Sequence, residues 1–302
     1  MGVANGFCVG ISHCAICYQD FGGFHGEVLL AFRSHVDIGC IMTRPLFIVG
    51  NKRSGTSQLV RLLNLHPRVF VSHESDIVWA LYQFSHDQPF QSHPWDSDRG
   101  LRHTLESCGD LFRRERSPRQ NLLAIQQRLM ERGTPFLPPQ TKAELLWIGD
   151  KKPFQHTDPQ LVTFILEHFP DAHFLHIVRH PFAVAFSSAR FNETRGGDFW
   201  LGLTLDEKVE RWTFHEQQVL SLREKLPDRV HSLRYEDLCE HTREELSRLF
   251  AFLQLPADPG MLEEAARKTR PVAHHVPVIR CSAETRRIAG SYGYDLQSPT
   301  TR

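Results

Sequence analysis

Neither sign of charge prevails in this sequence: 35 lysines and arginines face 35 aspartates and glutamates over 302 residues. A chain without a net field does not gather nucleic acid or anionic membrane along its whole surface, so only a local basic pocket is to be looked for. Long hydrophobic runs are missing as well. Spanning a bilayer takes roughly 18 consecutive apolar residues, and even the apolar opening is broken by His13, Gln19 and Asp20. The first twenty residues lack the basic stretch that precedes the apolar part of a secretory signal, so a cytoplasmic protein with no membrane span is expected. Paired cysteines are absent too. Cys8, Cys14, Cys17, Cys40, Cys108, Cys239 and Cys281 make an odd seven, four of them within the first forty residues, which argues against a disulfide framework. Cys14-Ala-Ile-Cys17 has the gap of a zinc or redox pair, but no second CxxC completes it, and a zinc site needs three or four ligands. The eighteen histidines, with His274-His275 the adjacent pair, read as scattered solvated or core side chains. No metal is expected.

What is present is an ordinary globular composition, 41% hydrophobic and 10% aromatic, in a chain long enough to bury a core without covalent staples. Residues 1–41 lack clear periodicity and form a poorly defined leader. Met42 stands directly before a strand signal and is the expected native start; upstream peptides in the mass spectrum of natively expressed protein would refute this. Residues 42–302 then make one domain. Leu46-Phe-Ile-Val-Gly50 is a short apolar run closed by glycine, as in a strand buried on both faces. Gln58–Leu65 follows with near-helical spacing and is stopped by His66-Pro67. A second unit repeats the order: Asp158-Pro159 opens a helix to His168, His173–Val178 is a strand, and Arg179-His-Pro181 leads into a helix to about Arg190. Asp206–Lys225 reads as a long amphipathic helix, Arg229–Leu233 as a strand, and Thr242–Leu253 as a helix whose start resembles a capping box. Alternating strands and helices imply a parallel α/β sheet between helical layers. Residues 85–145, with His86, His93, His103, several prolines and Arg113-Arg114-Glu-Arg116, read as a helical insertion over one face, placed to shape an acceptor pocket.

The sharpest chemical signal is Gly50-Asn-Lys52-Arg53-Ser54-Gly55-Thr56-Ser57, between the first strand and its helix. Such a loop turns backbone N–H groups and a helix N-terminus toward an anion, in the manner of a P-loop. It departs from GxxxxGK[ST] in that Thr56 follows the second glycine where nucleotide kinases have lysine, and the cations stand earlier. A phosphotransferase using ATP and magnesium also needs an acid on the metal, whereas the later strand ends in Arg179.

These residues resemble the sulfotransferases that use 3′-phosphoadenosine 5′-phosphosulfate. Their 5′-phosphosulfate loop, [KR]-S-G-T-[TS], reads here Arg53-Ser54-Gly55-Thr56-Ser57, and their 3′-phosphate motif reads Arg179, Pro181 and Ser187. His66–Glu74, Trp147–Phe154 and Leu233–Leu238 look like the bacterial and tyrosylprotein-type branch. The resemblance spans about residues 45–256. Beyond residue 270 the usual Gly-Arg-Trp stretch is missing, while Tyr292-Gly-Tyr294 is similar to the family's ending. The resemblance implies a three-layer α/β/α fold with a central parallel sheet, like that of P-loop NTPases. It also implies transfer of a sulfuryl group to a hydroxyl or amine by in-line displacement, without a metal. Arg53 would hold the phosphosulfate with Lys52, Ser54, Gly55, Thr56 and Ser57 around it. Arg179, Ser187 and Arg190 would take the 3′-phosphate, and Tyr235 would lie against the nucleotide. Glu74 is the candidate general base, with His73 and His103 as alternatives, and Lys151 would steady the transferring group. The other readings are an ATP and magnesium phosphotransferase and a nucleotide-binding homologue without activity. The acceptor, whether small molecule, carbohydrate or peptide, and the oligomeric state, a homodimer included, stay open. Asn192-Glu-Thr194 is a glycosylation sequon that matters only in a secreted protein.

Overall fold

A computed structural model describes residues 43–94, 96–195, 200–269, 276 and 278–297. The leader with Cys14 and Cys17, Met42, and His274-His275 lie outside the described residues. The chain divides into two units, Met1–Cys40 and Ile41–Arg302, and the second carries everything described below.

Five strands, β1 (Arg44–Val49), β2 (Val69–His73), β3 (Trp147–Lys151), β4 (His173–Val178) and β5 (Val230–Arg234), form one parallel sheet in the order β2-β3-β1-β4-β5. The apolar runs of β1 to β4 are buried on both faces because helices cover each side. Eleven helices are described: α1 (Thr56–Leu63), α2 (Ile77–Ser85), α3 (Arg99–Cys108), α4 (Pro118–Arg132), α5 (Pro159–His168), α6 (Pro181–Arg195), α7 (Leu205–Lys225), α8 (Tyr235–Glu240), α9 (Thr242–Phe252), α10 (Pro259–Lys268) and α11 (Ala283–Ser291).

Side chains alternate along each strand, and this sorts the core into two sheets of contact. Phe47, Phe70, Ile148 and Phe174 pack with α2, α4, α5 and the end of α7. Leu46, Ile48, Val69, Val71 and Ile177 pack with α1, α9 and α10 on the other face. The result is the expected three-layer α/β/α arrangement. Asp158 caps α5 through the Gln160 N–H at 2.9 Å, with Pro159 in the first turn, as the sequence reads. Two caps differ from expectation. The Thr204–Glu207 capping box opens α7 one residue early, and α9 has no side-chain cap, because the Thr242 hydroxyl donates back to the Leu238 carbonyl at 2.8 Å. Within residues 85–145, α4 is part of the sheet's own covering layer: Leu122, Ile125, Leu129 and Met130 enter the core, and Ser117 and Gln120 form its capping box.

Candidate active site

Every strand ends at the same edge of the sheet, and each hands a sequence-predicted residue to it. In an open α/β sheet, ligands bind at that carboxyl edge, where neighbouring strands continue in opposite directions. Here β1 lies between β3 and β4. The loop after β1 carries Lys52 to Gly55, β2 ends in His73 and leads into Glu74, β3 ends in Lys151, β4 leads into Arg179 and β5 into Tyr235. Arg53, Glu74, Asp76 and Phe154 at this edge all adopt positive φ, from 54° to 74°. Side chains rarely accept that backbone, and its clustering marks a site held against local preference.

The loop after β1 is shaped by two glycines. A Cβ on Gly50 (φ 137°) would meet the Ile177 carbonyl oxygen at 2.5 Å, and one on Gly55 (φ 94°) would meet the Tyr235 ring at 2.2 Å. Gly55→Ala is therefore expected to cost about 1–3 kcal/mol from backbone strain alone, read as a lower denaturation midpoint; an unchanged midpoint would show that neither the backbone here nor the Tyr235 ring resists a Cβ. Gly55 leads into α1, which has no acidic residue in its first turn and no side-chain cap, so its first N–H groups are left to an incoming acceptor. Beside them the Ser54 hydroxyl is 0% exposed and has no hydrogen-bond partner among the described residues.

The two anion motifs meet. Arg53 Nε donates to the Ser187 Oγ on α6 at 3.2 Å, and its guanidinium lies 4.7 Å over the Phe191 ring. Arg179, only 7% exposed, donates from Nη1 to the Arg53 carbonyl at 2.9 Å and stacks 4.5 Å over Tyr235. Tyr235 thus wedges between Gly55 and Arg179, and burial pushes its phenol up to about 12. Arg190 is exposed on α6, and its side chain makes no ion pair among the described residues.

On the α1 face, His73 and Lys151 are direct partners in the β2–β3 register. Lys151 Nζ is 2.6 Å from Glu74 Oε1, the lysine side chain 1% and the glutamate side chain 32% exposed. Burial pushes the Glu74 carboxyl up, but Lys151, with His73 and Lys152 behind it, prevails and brings it to about 2. The carboxylate is therefore ionised at neutral pH, while burial pushes the Lys151 ammonium below the usual lysine range against the pull of Glu74. Burial, then Lys151, lowers His73 to about 3, so this imidazole is neutral; its Nε2 lies 2.8 Å from Ser57 Oγ and its ring packs tilted against Phe136. His103 stands on α3 beyond Gly100, whose position against the Glu74 carbonyl marks the end of α3 that faces the site. Glu74 does not cap α2, because the N-cap is Asp76 and the Glu74 carboxylate is turned to Lys151.

Sequence reasoning missed a second charge cluster. Lys52 is bound by Asp96 at 2.8 Å, Asp96 also lies 3.3 Å from Lys152, and Lys152 pairs with Asp76 at 2.6 Å, which in turn accepts from Gln155 Nε2 at 2.5 Å. Lys52, read as an anion-loop cation, is thus engaged by an acid from the 85–145 segment. Burial opposes the charge on Lys152, yet Asp76 and Asp96 hold it well above the usual lysine range. The only local signal was the Lys151-Lys152 doublet.

An acid at the end of β3 was also overlooked. Asp150 is 0% exposed and turned into the opposite layer, accepting from Ser72 Oγ at 2.8 Å with His156 Nε2 3.7 Å away. His176 and His180, four residues apart, go to different partners, Glu216 and Tyr294, since a strand and a loop carry them. Among the described residues no group of three or more His, Cys, Asp or Glu could hold a metal ion. No described helix is long and apolar enough to cross a membrane.

A parallel α/β/α sheet with an anion-type loop after its first strand is the architecture of sulfotransferases. The Sulfotransferase family profile matches residues 45–259, well over half of the chain, and the protein belongs to that family. Among solved structures, the sulfotransferase domain from the curacin biosynthetic pathway is similar at 21% identity and a TM-score of 0.54, over 84% of this chain and 99% of that one. The sulfotransferase domain of the Synechococcus PCC 7002 olefin synthase is similar at 22% identity and a TM-score of 0.54, over 84% of this chain and 96% of that one. At these identities the likeness is one of fold. No curated protein sequence matches.

Proposed function

We propose that this protein transfers a sulfuryl group from 3′-phosphoadenosine 5′-phosphosulfate to a hydroxyl or amine acceptor. One observation carries the reading: the two candidate anion motifs, more than a hundred residues apart in sequence, touch through Arg53–Ser187 at 3.2 Å and Arg179–Arg53 at 2.9 Å. Two cationic groups, an uncapped helix N-terminus and the orphaned Ser54 hydroxyl suit a ligand with anions at two positions. The donor supplies an activated sulfuryl group, and the protein supplies placement and charge.

In this reading Arg53, with Ser54, Gly55, Thr56 and Ser57, holds the 5′ side, and Arg179 with Ser187 and Arg190 holds the 3′ side. Lys52 serves the first loop from its pair with Asp96. Lys151 offsets charge at the reacting group. Glu74 takes the acceptor proton. Its carboxyl lies near 2 because of Lys151; once Lys151 also faces an anionic group that pull is shared, burial weighs more, and the carboxylate becomes a better base. A magnesium phosphotransferase is disfavoured because Thr56 stands where lysine is needed and Asp150 is turned away from the loop.

Isothermal titration with adenosine 3′,5′-bisphosphate, beside ATP with magnesium, tests this reading. Micromolar bisphosphate binding that Arg179→Ala abolishes is the expected result and justifies a screen of small-molecule, carbohydrate and peptide acceptors. Preference for magnesium-ATP would replace the reading with phosphoryl transfer.

A further inference from the structure

Helix α7 reaches both anion loops from behind, through two residues one turn apart. Glu216 is fully buried and accepts a hydrogen bond from Asn51 Nδ2 at 2.7 Å; Asn51, also fully buried, is the second residue of the loop after β1. Four residues earlier, Trp212 donates from Nε1 to the Arg179 carbonyl at 3.1 Å, and its own carbonyl lies 3.5 Å from Asn51 Nδ2. Residues i and i+4 share one helix face, so a single rigid element grips the residue before the Lys52-Arg53 pair and the residue that begins the second motif. Packing alone does not demand this. Val209, Val219 and Leu222 already bury the helix with apolar contacts, whereas a buried carboxylate is costly unless it is partnered. The second oxygen of Glu216 is 3.1 Å from His176 Nε2 of β4, within ion-pair distance though not aligned for a hydrogen bond. His176 Nδ1 in turn meets Ser232 Oγ of β5 at 3.1 Å. The anchor is therefore braced against the sheet itself.

We propose that α7 is a strut that fixes the separation of the two anion loops: Glu216 positions the first through Asn51, and Trp212 positions the second through the Arg179 carbonyl. The strut selects a nucleotide bearing anions at both its 5′ and 3′ positions over one bearing a single phosphate. This rests on the nucleotide reading given above. Glu216 and Trp212 are positioning residues that act through the loops.

The test is titration of adenosine 3′,5′-bisphosphate and of 5′-AMP into the wild type, Trp212→Phe, Glu216→Ala, Glu216→Gln and Asn51→Ala. Trp212→Phe keeps a ring and removes the donor to Arg179. It is expected to weaken the bisphosphate about tenfold, the worth of roughly one hydrogen bond, and to leave 5′-AMP within about twofold, so the ratio of the two affinities falls. Glu216→Ala is expected to weaken both ligands about tenfold or more, and Glu216→Gln, which keeps an acceptor for Asn51, to recover most of that. Asn51→Ala cuts the same bond from the loop side and replaces Glu216→Ala should that variant fail to fold. Mere loosening of the fold would lower both affinities in the same ratio in Trp212→Phe, and that result overturns the strut. So does wild-type affinity in Asn51→Ala. A wild type that binds neither nucleotide overturns the sulfuryl-transfer reading and the strut with it, whereas binding indifferent to these substitutions overturns the strut alone.

Discussion

Lys151→Met is expected to lower turnover about 10²–10³-fold, the range for removing one preorganised charge donor from an active site, while bisphosphate affinity changes little. The ammonium ends β3 with its side chain 1% exposed, so it acts through a medium where charge is poorly screened. That leverage comes with a stability cost that the replacement only partly offsets. Methionine matches the length and apolar character of the buried stem, and the partner left behind, Glu74, is 32% exposed and can hydrate. The variant should have a lower denaturation midpoint at neutral pH, because the Glu74 carboxylate loses the partner that favours its ionised form in the folded protein. It should also release Glu74 from the influence that holds it near 2, leaving burial to push the carboxyl upward. Turnover at saturating donor and titration with the bisphosphate separate the cases. Turnover within tenfold of wild type would remove Lys151 from the chemistry, and equal losses in turnover and binding would make it a binding residue.

The legibility of this site follows sequence distance. The loop after β1 and the turn after β4 are written locally, because an apolar strand, a glycine or proline and a helix start are contiguous in both. What each residue pairs with is set by sheet order, which no local pattern encodes. His73 faces Lys151 only because β2 is parallel to β3 in that register. Lys52 finds Asp96 across 44 residues, and Asn51 finds Glu216 across 165. The 85–145 segment reads as an insertion because its histidines, prolines and the Arg113-Arg114-Glu-Arg116 cluster interrupt its helical patterns. In the fold, Gln126 is buried and donates to Ser72 Oγ at 2.9 Å, so a polar residue sits in the layer without disturbing it. Asp150 is missed as a candidate acid for the related reason that strand alternation decides its direction, and the Ser72↔Asp150 pairing turns it to the face opposite Lys151.

Glu74→Gln separates proton transfer from charge balance at the same position. The substitution keeps the shape and a hydrogen-bond acceptor for Lys151 Nζ, now 2.6 Å from Oε1, but removes the basic carboxylate. Turnover should fall about 100-fold or more, as for loss of a general base, with bisphosphate affinity retained. Stability against pH gives an independent reading. Glu74 drops from an ordinary 4.5 to about 2 in the folded protein, so its stabilising contribution is present above about 4.5 and is lost as pH falls toward 2. The Gln variant lacks that contribution throughout. The stability difference between wild type and variant should therefore shrink as denaturation is measured at successively lower pH between those values, while their activities differ most at neutral pH. Should bisphosphate affinity fall in step with turnover, Glu74 is structural, and the acceptor proton must leave by another route. His73, neutral and 2.8 Å from Ser57 Oγ, would then be the next group to replace.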